Sequence, residues 1–429
     1  MWFESLLRNR LRKLLTGEDR IALSSNIPPL TDRLRDVDEL GLYLHIPFCR
    51  QICPYCPYNK ERYDRELARR YTDAVVREID LYAELLDGRP VTSLYIGGGT
   101  PTTMLNDGIE TIISHIFEAF HVECSIHMES HPNDLTSDAL DAISNMGVEH
   151  LSIGVEALQD HHLKALQRPY TVDRVKAAVT RAVERDFRCV NADFIFSLPD
   201  QTFAEVEQAG HTLVQLGVDQ VAAYPLFEFP YTQLGQTPQN RNGGLHHLFS
   251  RRKMLRILED IFYDAGFART SVWAFTKRGV PKYCSVTVPL YFGLGASGSS
   301  YLNDVFYVNT FNVRAYIHAL ENGKLPVALA VNLSRRMQMA GWLYWRIYET
   351  RFRKSDFRRR FGVEFDRIYG RYMKFFSVLG LLKDSRDEVV LSDAGAYWLH
   401  VLEDVFSLDS ISRLWGTAIT EPWPDEVIV

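Results

Sequence analysis

The sequence predicts an α/β protein: a partial, open (βα)6 TIM-like barrel followed by a small C-terminal helical, winged-helix-like domain. From residue 40 onward, short β-rich runs alternate with stretches of helical periodicity, the signature of βα units and a parallel sheet. Six such units fill about 190 residues, too few for a closed eight-stranded barrel. From Ser334 the composition shifts to Arg-rich helices around a short β segment, which sets the last domain apart. The divisions that follow are an arm over 1–39, a barrel over 40–230, an extension covering the active site over 231–333 and the C-terminal domain over 334–429.

In the arm, Trp2, Phe3, Leu6, Leu7, Leu11, Leu14 and Leu15 alternate with Arg8, Arg10, Arg12 and Lys13. This reads as a basic amphipathic helix, packed on the main domain or held against a membrane surface or partner. GLYLHI (41–46) is the first strand. Residues 64–86 then place Leu67, Tyr71, Ala74, Val75, Ile79, Tyr82 and Leu86 on one helical face. SLYIGG, CSIHMES, HLSIGVE, NADFIF and QVAAYPLF supply strands two to six. Helices near 107–120, 136–146, 157–186 and 202–216 connect them. Residues 232–244, rich in Gln, Asn, Gly and Pro, read as a loop, and 246–266 as a helix. TVPLYFGLGASGSSYL (287–302) reads as strand or close-packed turn. The basic run 351–360 is interleaved with Phe352 and Phe357, so it reads as a solvated helix face rather than a nucleic-acid patch.

At 429 residues, 46% hydrophobic and 24% charged, the chain has the balance of a soluble protein with a large core. A net charge of -6 gives no global attraction to nucleic acid or anionic lipid, so a small-molecule substrate is expected. The sequence lacks both a long uncharged apolar stretch and a secretory leader pattern, so a cytoplasmic location and no transmembrane segment are expected.

Three of the six cysteines, Cys49, Cys53 and Cys56, fall together directly after the first strand, while Cys124, Cys189 and Cys284 are scattered. That spacing is no disulfide framework; clustered thiols in a reducing compartment ligate metal. Three thiolates suit an iron-sulfur cluster with one iron left open. A zinc site would want a fourth Cys or His, and His45 is the nearest.

The stretch YLHIPFCRQICPYC resembles the cluster loop of radical S-adenosylmethionine (SAM) enzymes, in particular the oxygen-independent coproporphyrinogen III oxidase (HemN-like) family. GGGTPT (97–102), GVEHLSIGVEALQDHHLKALQR (147–168), VNADFIFSLPDQT (190–202) and YFGLGASGSS (291–300) extend the resemblance over about residues 40–320, and LSDAGAYWL resembles the wing of the family's terminal domain. The resemblance implies that Cys49, Cys53 and Cys56 bind a 4Fe-4S cluster whose open iron is chelated by SAM. One electron would then cleave SAM to a 5′-deoxyadenosyl radical that abstracts hydrogen.

Further residues are expected around SAM. Gly98 and Gly99, with Thr100 after them, let backbone approach a ligand closely. Glu129 is placed to hold a ribose hydroxyl, Arg168 to pair with the SAM carboxylate, and Asp193, in an apolar strand, needs a partner. Tyr43 matches the family's tyrosine beside the cluster.

Two positions depart from the oxidase pattern: Tyr58 stands where the oxidases have a further cysteine, and Glu156, a catalytic candidate expected to touch SAM, where they have glutamine. The segment KYCSVTV also lacks the oxidase's characteristic residues. These departures resemble the branches of methyltransferases and haem chaperones more than the oxidase itself. The expected activity is therefore methyl transfer, cyclopropanation or another radical modification of an unsaturated or ring substrate, with a second SAM held near 291–302. A tetrapyrrole enzyme and a non-catalytic haem chaperone are the alternatives. A one-electron donor such as flavodoxin or ferredoxin is implied.

Overall fold

The computed structural model describes residues 10, 12–30, 33, 40–86, 88–237, 245–283 and 290–429. Six parallel strands lie side by side in chain order: β1 (Leu40–Ile46), β2 (Pro90–Gly98), β3 (Ile126–Ser130), β4 (Val148–Glu156), β5 (Cys189–Phe196) and β6 (Gln220–Pro225). Most of their residues are buried, because helices cover one face and the barrel interior the other. The connecting helices are α1 (Arg65–Leu86), α2 (Ile109–Ala119), α3 (Ser137–Asn145), α4 (Val172–Val183) and α5 (Phe203–Gln215). On α1 the seven apolar positions expected from periodicity are all buried. Thr136, Thr171 and Thr202 cap α3, α4 and α5, and Thr202 closes a capping box with Glu205.

The sheet continues past both ends of this set and does not close among the described residues. Beyond β6 come antiparallel Ala274–Lys277 and Phe267–Arg269. Beyond β1, Tyr291–Leu294 runs parallel to it, followed by Ser299–Leu302, Val305–Asn309 and Val327–Asn332. Ala22–Ser24 and Glu426–Ile428 finish that edge. The predicted extension over 231–333 thus widens the barrel sheet, and a strand from each terminal region joins it. Two strands from opposite ends of the chain pair because each leaves an unpaired edge for the other.

The amphipathic helix expected at the N-terminus lies mostly outside the described residues, of which 12–16 are helical; most of the expected loop over 232–244 and Cys284 also lie outside them. Helix α6 (Leu245–Asp264) packs against α5.

The C-terminal region has its own core, in which Phe352, Phe357, Phe361, Phe365, Tyr369 and Val389 meet. It comprises α7 (Arg335–Tyr348), two short helices (Lys354–Phe361 and Phe365–Val378), a three-stranded antiparallel sheet and α8 (Asp393–Thr420). In the basic run, Arg358 and Arg359 face solvent while Phe357 and Phe361 are buried, as expected. The segment expected as a wing is instead the start of α8, capped by Ser392; the hairpin Leu382–Asp384 and Glu388–Leu391 precedes it. A serine accepting from the Gly395 N–H begins a helix and cannot end a hairpin in the same residues.

The late glycine motif is a packing element. Gly293, Gly295 and Gly298 sit where an added Cβ would strike the Ser299 backbone, the Tyr71 hydroxyl or the Gly293 backbone. The Gly295 N–H donates to buried Glu78 (2.7 Å) and the Ala296 N–H to Tyr71 (2.9 Å). Asn309 and Tyr316 also donate to Glu78, closing its acceptor sites. Desolvation holds Glu78 up at about 7 despite these donors.

Candidate active site

The loop between β1 and α1 carries Cys49, Cys53 and Cys56 at the carboxyl end of the barrel strands, where such folds keep their sites. Its geometry is enforced by the end of β2. Gly99 donates to Ile46 O (2.7 Å) and Thr100 to Phe48 O (2.9 Å), and a Cβ on Gly99 would collide with Pro47. Gly98 has φ +116 and lies against the His45 ring, so only glycine fits. From outside, Leu234 donates to Pro54 O and Tyr231 to Pro57 O.

All three thiols line one cavity of about 510 Å³. Burial pushes Cys49 up to about 12, with Cys56 and Cys53 adding to the rise against the Thr100 hydroxyl 3.5 Å away. Cys53 and Cys56 are raised by burial too. Converging, desolvated thiols resist ionisation until a metal replaces their protons. His45, the candidate for a fourth zinc ligand, uses both ring nitrogens, one with the Tyr43 hydroxyl (2.9 Å) and one with Asn59 O (3.0 Å). Burial lowers its pKa to about 4, which marks a neutral, packed histidine. The donor set therefore fits a cluster that asks for three thiolates.

Gly98, Gly99, Thr100, Glu129, Glu156, Arg168 and Asp193 line the same cavity, so the structure gathers every expected residue except Tyr43. Tyr43 stacks on Tyr95 behind the wall, with ring centroids 6.0 Å apart, and its hydroxyl hydrogen-bonds His45 Nδ1. Glu129 accepts from the Tyr95 hydroxyl (2.6 Å) and the Gly98 N–H (3.0 Å). Asp193 accepts from Ser152 (2.7 Å) and Asn191 (2.9 Å), the partners its apolar strand required. Burial, then the neighbouring Glu156, raise it to about 7.

Glu156 ends β4 at φ +64, an uncommon angle for a residue with a side chain, and forms an ion pair with Arg168. Arg168 also donates to the Tyr55 hydroxyl (2.9 Å). The guanidinium expected for the SAM carboxylate is thus engaged by a carboxylate of the chain itself.

Several lining residues carried no sequence signal for the site. Phe227, Phe229 and Trp273 form an aromatic wall, with Tyr344 and Tyr348 of α7 closing over it. One stripe of α8 completes the roof: His400, Asp404, Ser407, Leu408 and Ile411. The late glycine strands, Tyr291–Leu294 and Ser299–Leu302, line no part of the cavity, so they are not where it would take a second SAM.

An open parallel barrel carrying three thiols on its first loop defines the radical SAM class. Residues 43–213 match the Radical SAM superfamily. Such a domain uses a 4Fe-4S cluster and SAM. The chain is 26% identical over 362 residues to Heme chaperone HemW of Bacillus subtilis (strain 168), covering 82% of this chain and 95% of the relative. It is 28% identical over 308 residues to Anaerobilin synthase of Escherichia coli O157:H7, covering 69% of this chain and 68% of that one. The fold is that of the coproporphyrinogen III oxidase HemN of Escherichia coli, with TM-score 0.76 and 20% identity over 92% of this chain and 95% of that one. Among the described residues, no helix is long and apolar enough to cross a membrane.

Proposed function

We propose that this chain is a cytoplasmic radical SAM enzyme acting on a flat, largely apolar ring of the tetrapyrrole class. The observation that carries the proposal is continuity: one cavity runs from the three cysteines to the aromatic wall of Phe227, Phe229, Trp273, Tyr344 and Tyr348. Aromatic faces hold a planar ring by stacking and exclude water from it. The likeness to a protein named a heme chaperone, over 82% of this chain, supports the same ligand class, and the likeness to one named a synthase supports turnover.

Cys49, Cys53 and Cys56 would hold the cluster. When bound and reduced, it supplies the electron that splits the S–C5′ bond of SAM. Glu129 and Asp193 present acceptor oxygens for ribose hydroxyls, and Arg168 turns to the SAM carboxylate as Glu156 releases it. The backbone at Gly98 and Gly99 approaches the SAM amino group. The roof of α7 and α8 keeps water from the radical. A flavodoxin- or ferredoxin-type protein delivers the electron.

Methyl transfer or cyclopropanation would require a second SAM beside the first, and the strands expected to hold it are packed away from the cavity. That reading is not favoured. The experiment is anaerobic incubation of the reduced, cluster-loaded protein with SAM and either haem or protoporphyrin IX. The expected result is ring-dependent 5′-deoxyadenosine and an altered ring spectrum. Tight haem binding without SAM cleavage would replace the enzyme by a chaperone, while S-adenosylhomocysteine alongside 5′-deoxyadenosine would restore methyl transfer.

A further inference from the structure

The roof of the cavity is chemically unlike its floor. The cationic residues that line it, Arg50, Lys60 and Arg168, all lie on the loops around the thiols. The roof and aromatic wall offer one charged group, Asp404, set among Leu408, Ile411, Trp273 and Tyr348. A carboxylate is acceptor-only, and in apolar surroundings it is costly unless a donor reaches it.

The protein supplies Asp404 with little. Its Oδ1 lies 3.5 Å from His400 Nε2, while His400 Nδ1 faces Glu403 at 3.3 Å. Burial keeps His400 neutral, with its pKa lowered to about 4, and raises Glu403 well above the ordinary carboxylate range, so the ring can offer Asp404 its N–H only at the long distance of 3.5 Å. Burial raises Asp404 to about 7 against Arg251 of α6, which pulls it down; Tyr344 of α7 and Tyr397 of α8 face the same cluster, and Asp404 helps to raise the pKa of each. Glu403 sits behind the stripe and does not line the cavity, whereas Asp404 does.

We infer that Asp404, backed by His400, is the specificity-determining anchor of this cavity, accepting hydrogen bonds from the N–H groups of a metal-free ring. The inference rests on the ring-binding reading above and adds to it: the site selects a ring by its inner nitrogens, not by its peripheral carboxylates. No lining cation stands near Asp404 to meet a peripheral carboxylate at the roof, and a metallated ring has no N–H to offer.

The test compares protoporphyrin IX with its nickel(II) complex, which keeps the same periphery, lacks N–H donors and has little affinity for an axial ligand. Binding is measured by equilibrium dialysis against cluster-loaded, SAM-saturated protein. At pH 8, above the value of about 7 to which burial raises Asp404, wild type is expected to hold the metal-free ring about tenfold or more tightly than the nickel complex, as a hydrogen bond to a charged group requires. Asp404→Ala should bring the ratio close to one while leaving nickel-complex affinity, iron content and SAM binding unchanged. Asp404→Asn, the same size and still an acceptor, should retain part of the preference and serves as the folding control. A wild-type ratio near one, or an unchanged ratio in Asp404→Ala, overturns the anchor and leaves the ring reading standing. Failure of wild type to bind either porphyrin overturns the ring reading itself.

Discussion

Arg168 and Glu156 form a buried ion pair beside the thiol loop, their side chains 13% and 11% exposed. The Cys53 thiol, raised chiefly by burial, senses both: Arg168 lowers its pKa and Glu156 raises it. The pair therefore sets the charge of the floor on which SAM is proposed to lie.

Removing one partner strands the other. Arg168→Ala should lower stability by about 3 kcal/mol, because Glu156 is left buried without compensation. Arg168→Ala/Glu156→Gln should recover most of that loss, since no charge then remains. Denaturant midpoints of the two variants measure it, and equal losses would mean that the pair is not coupled. Glu156→Gln alone frees the guanidinium and should tighten SAM binding severalfold.

Cys53→Ala should leave the fold intact but abolish stoichiometric iron and sulfide uptake on anaerobic reconstitution, together with SAM cleavage. A variant that still takes up a full complement of both would remove the three-thiolate assignment. Asp193→Ala, by contrast, should weaken SAM binding at unchanged iron content.

Glu78 gives a pH signature. Its ordinary value is 4.5 and burial holds it near 7 in the folded chain, so between these the folded state keeps a proton that the unfolded state has lost. Stability should therefore fall as pH rises through that window, by about 3 kcal/mol from this group. Glu78→Gln, which cannot ionise, should remove that component. The difference between the two midpoint-versus-pH curves isolates it, and parallel curves would refute it.

Helix α8 is tied to the barrel at its first turn. Arg269 bridges Glu259 and Asp393, Arg252 reaches Glu259 at 2.8 Å, and the Tyr263 hydroxyl bonds Asp393 at 2.5 Å. Arg269→Ala should destabilise the chain by about 3 to 5 kcal/mol. It should also loosen the roof, seen as faster protease cleavage between the barrel and α8, while Arg269→Lys should restore part of both. Cleavage rates like wild type in Arg269→Ala would show that the roof is held by other contacts.

The six parallel strands and the buried face of α1 were legible in the residues, because β-rich runs and a helical repeat of Leu67, Tyr71, Val75, Ile79, Tyr82 and Leu86 record burial directly. The thiol trio was legible from spacing alone. The glycines at 293–298 carry two readings in the sequence, a ligand-side motif and a close-packed turn, because both require a missing side chain, and the structure shows the packed one. The aromatic wall and α8 were not legible. Phe227, Trp273 and Tyr348 look like core residues in any local window, and α8 is enclosed on several sides, so it carries no single apolar stripe.

What the sequence determined by itself was therefore local: the order of the strands, the three sulfurs, and the carboxylates and guanidinium that follow strand ends. Only the tertiary structure decided which of these share a cavity, that Glu156 occupies Arg168, and that Asp404 from the last helix lines the same cavity as Cys53 from the first loop. The physical reason is that periodicity and spacing report a residue's immediate backbone. A binding site is set by distances between elements remote in the chain, and those follow from packing the whole core.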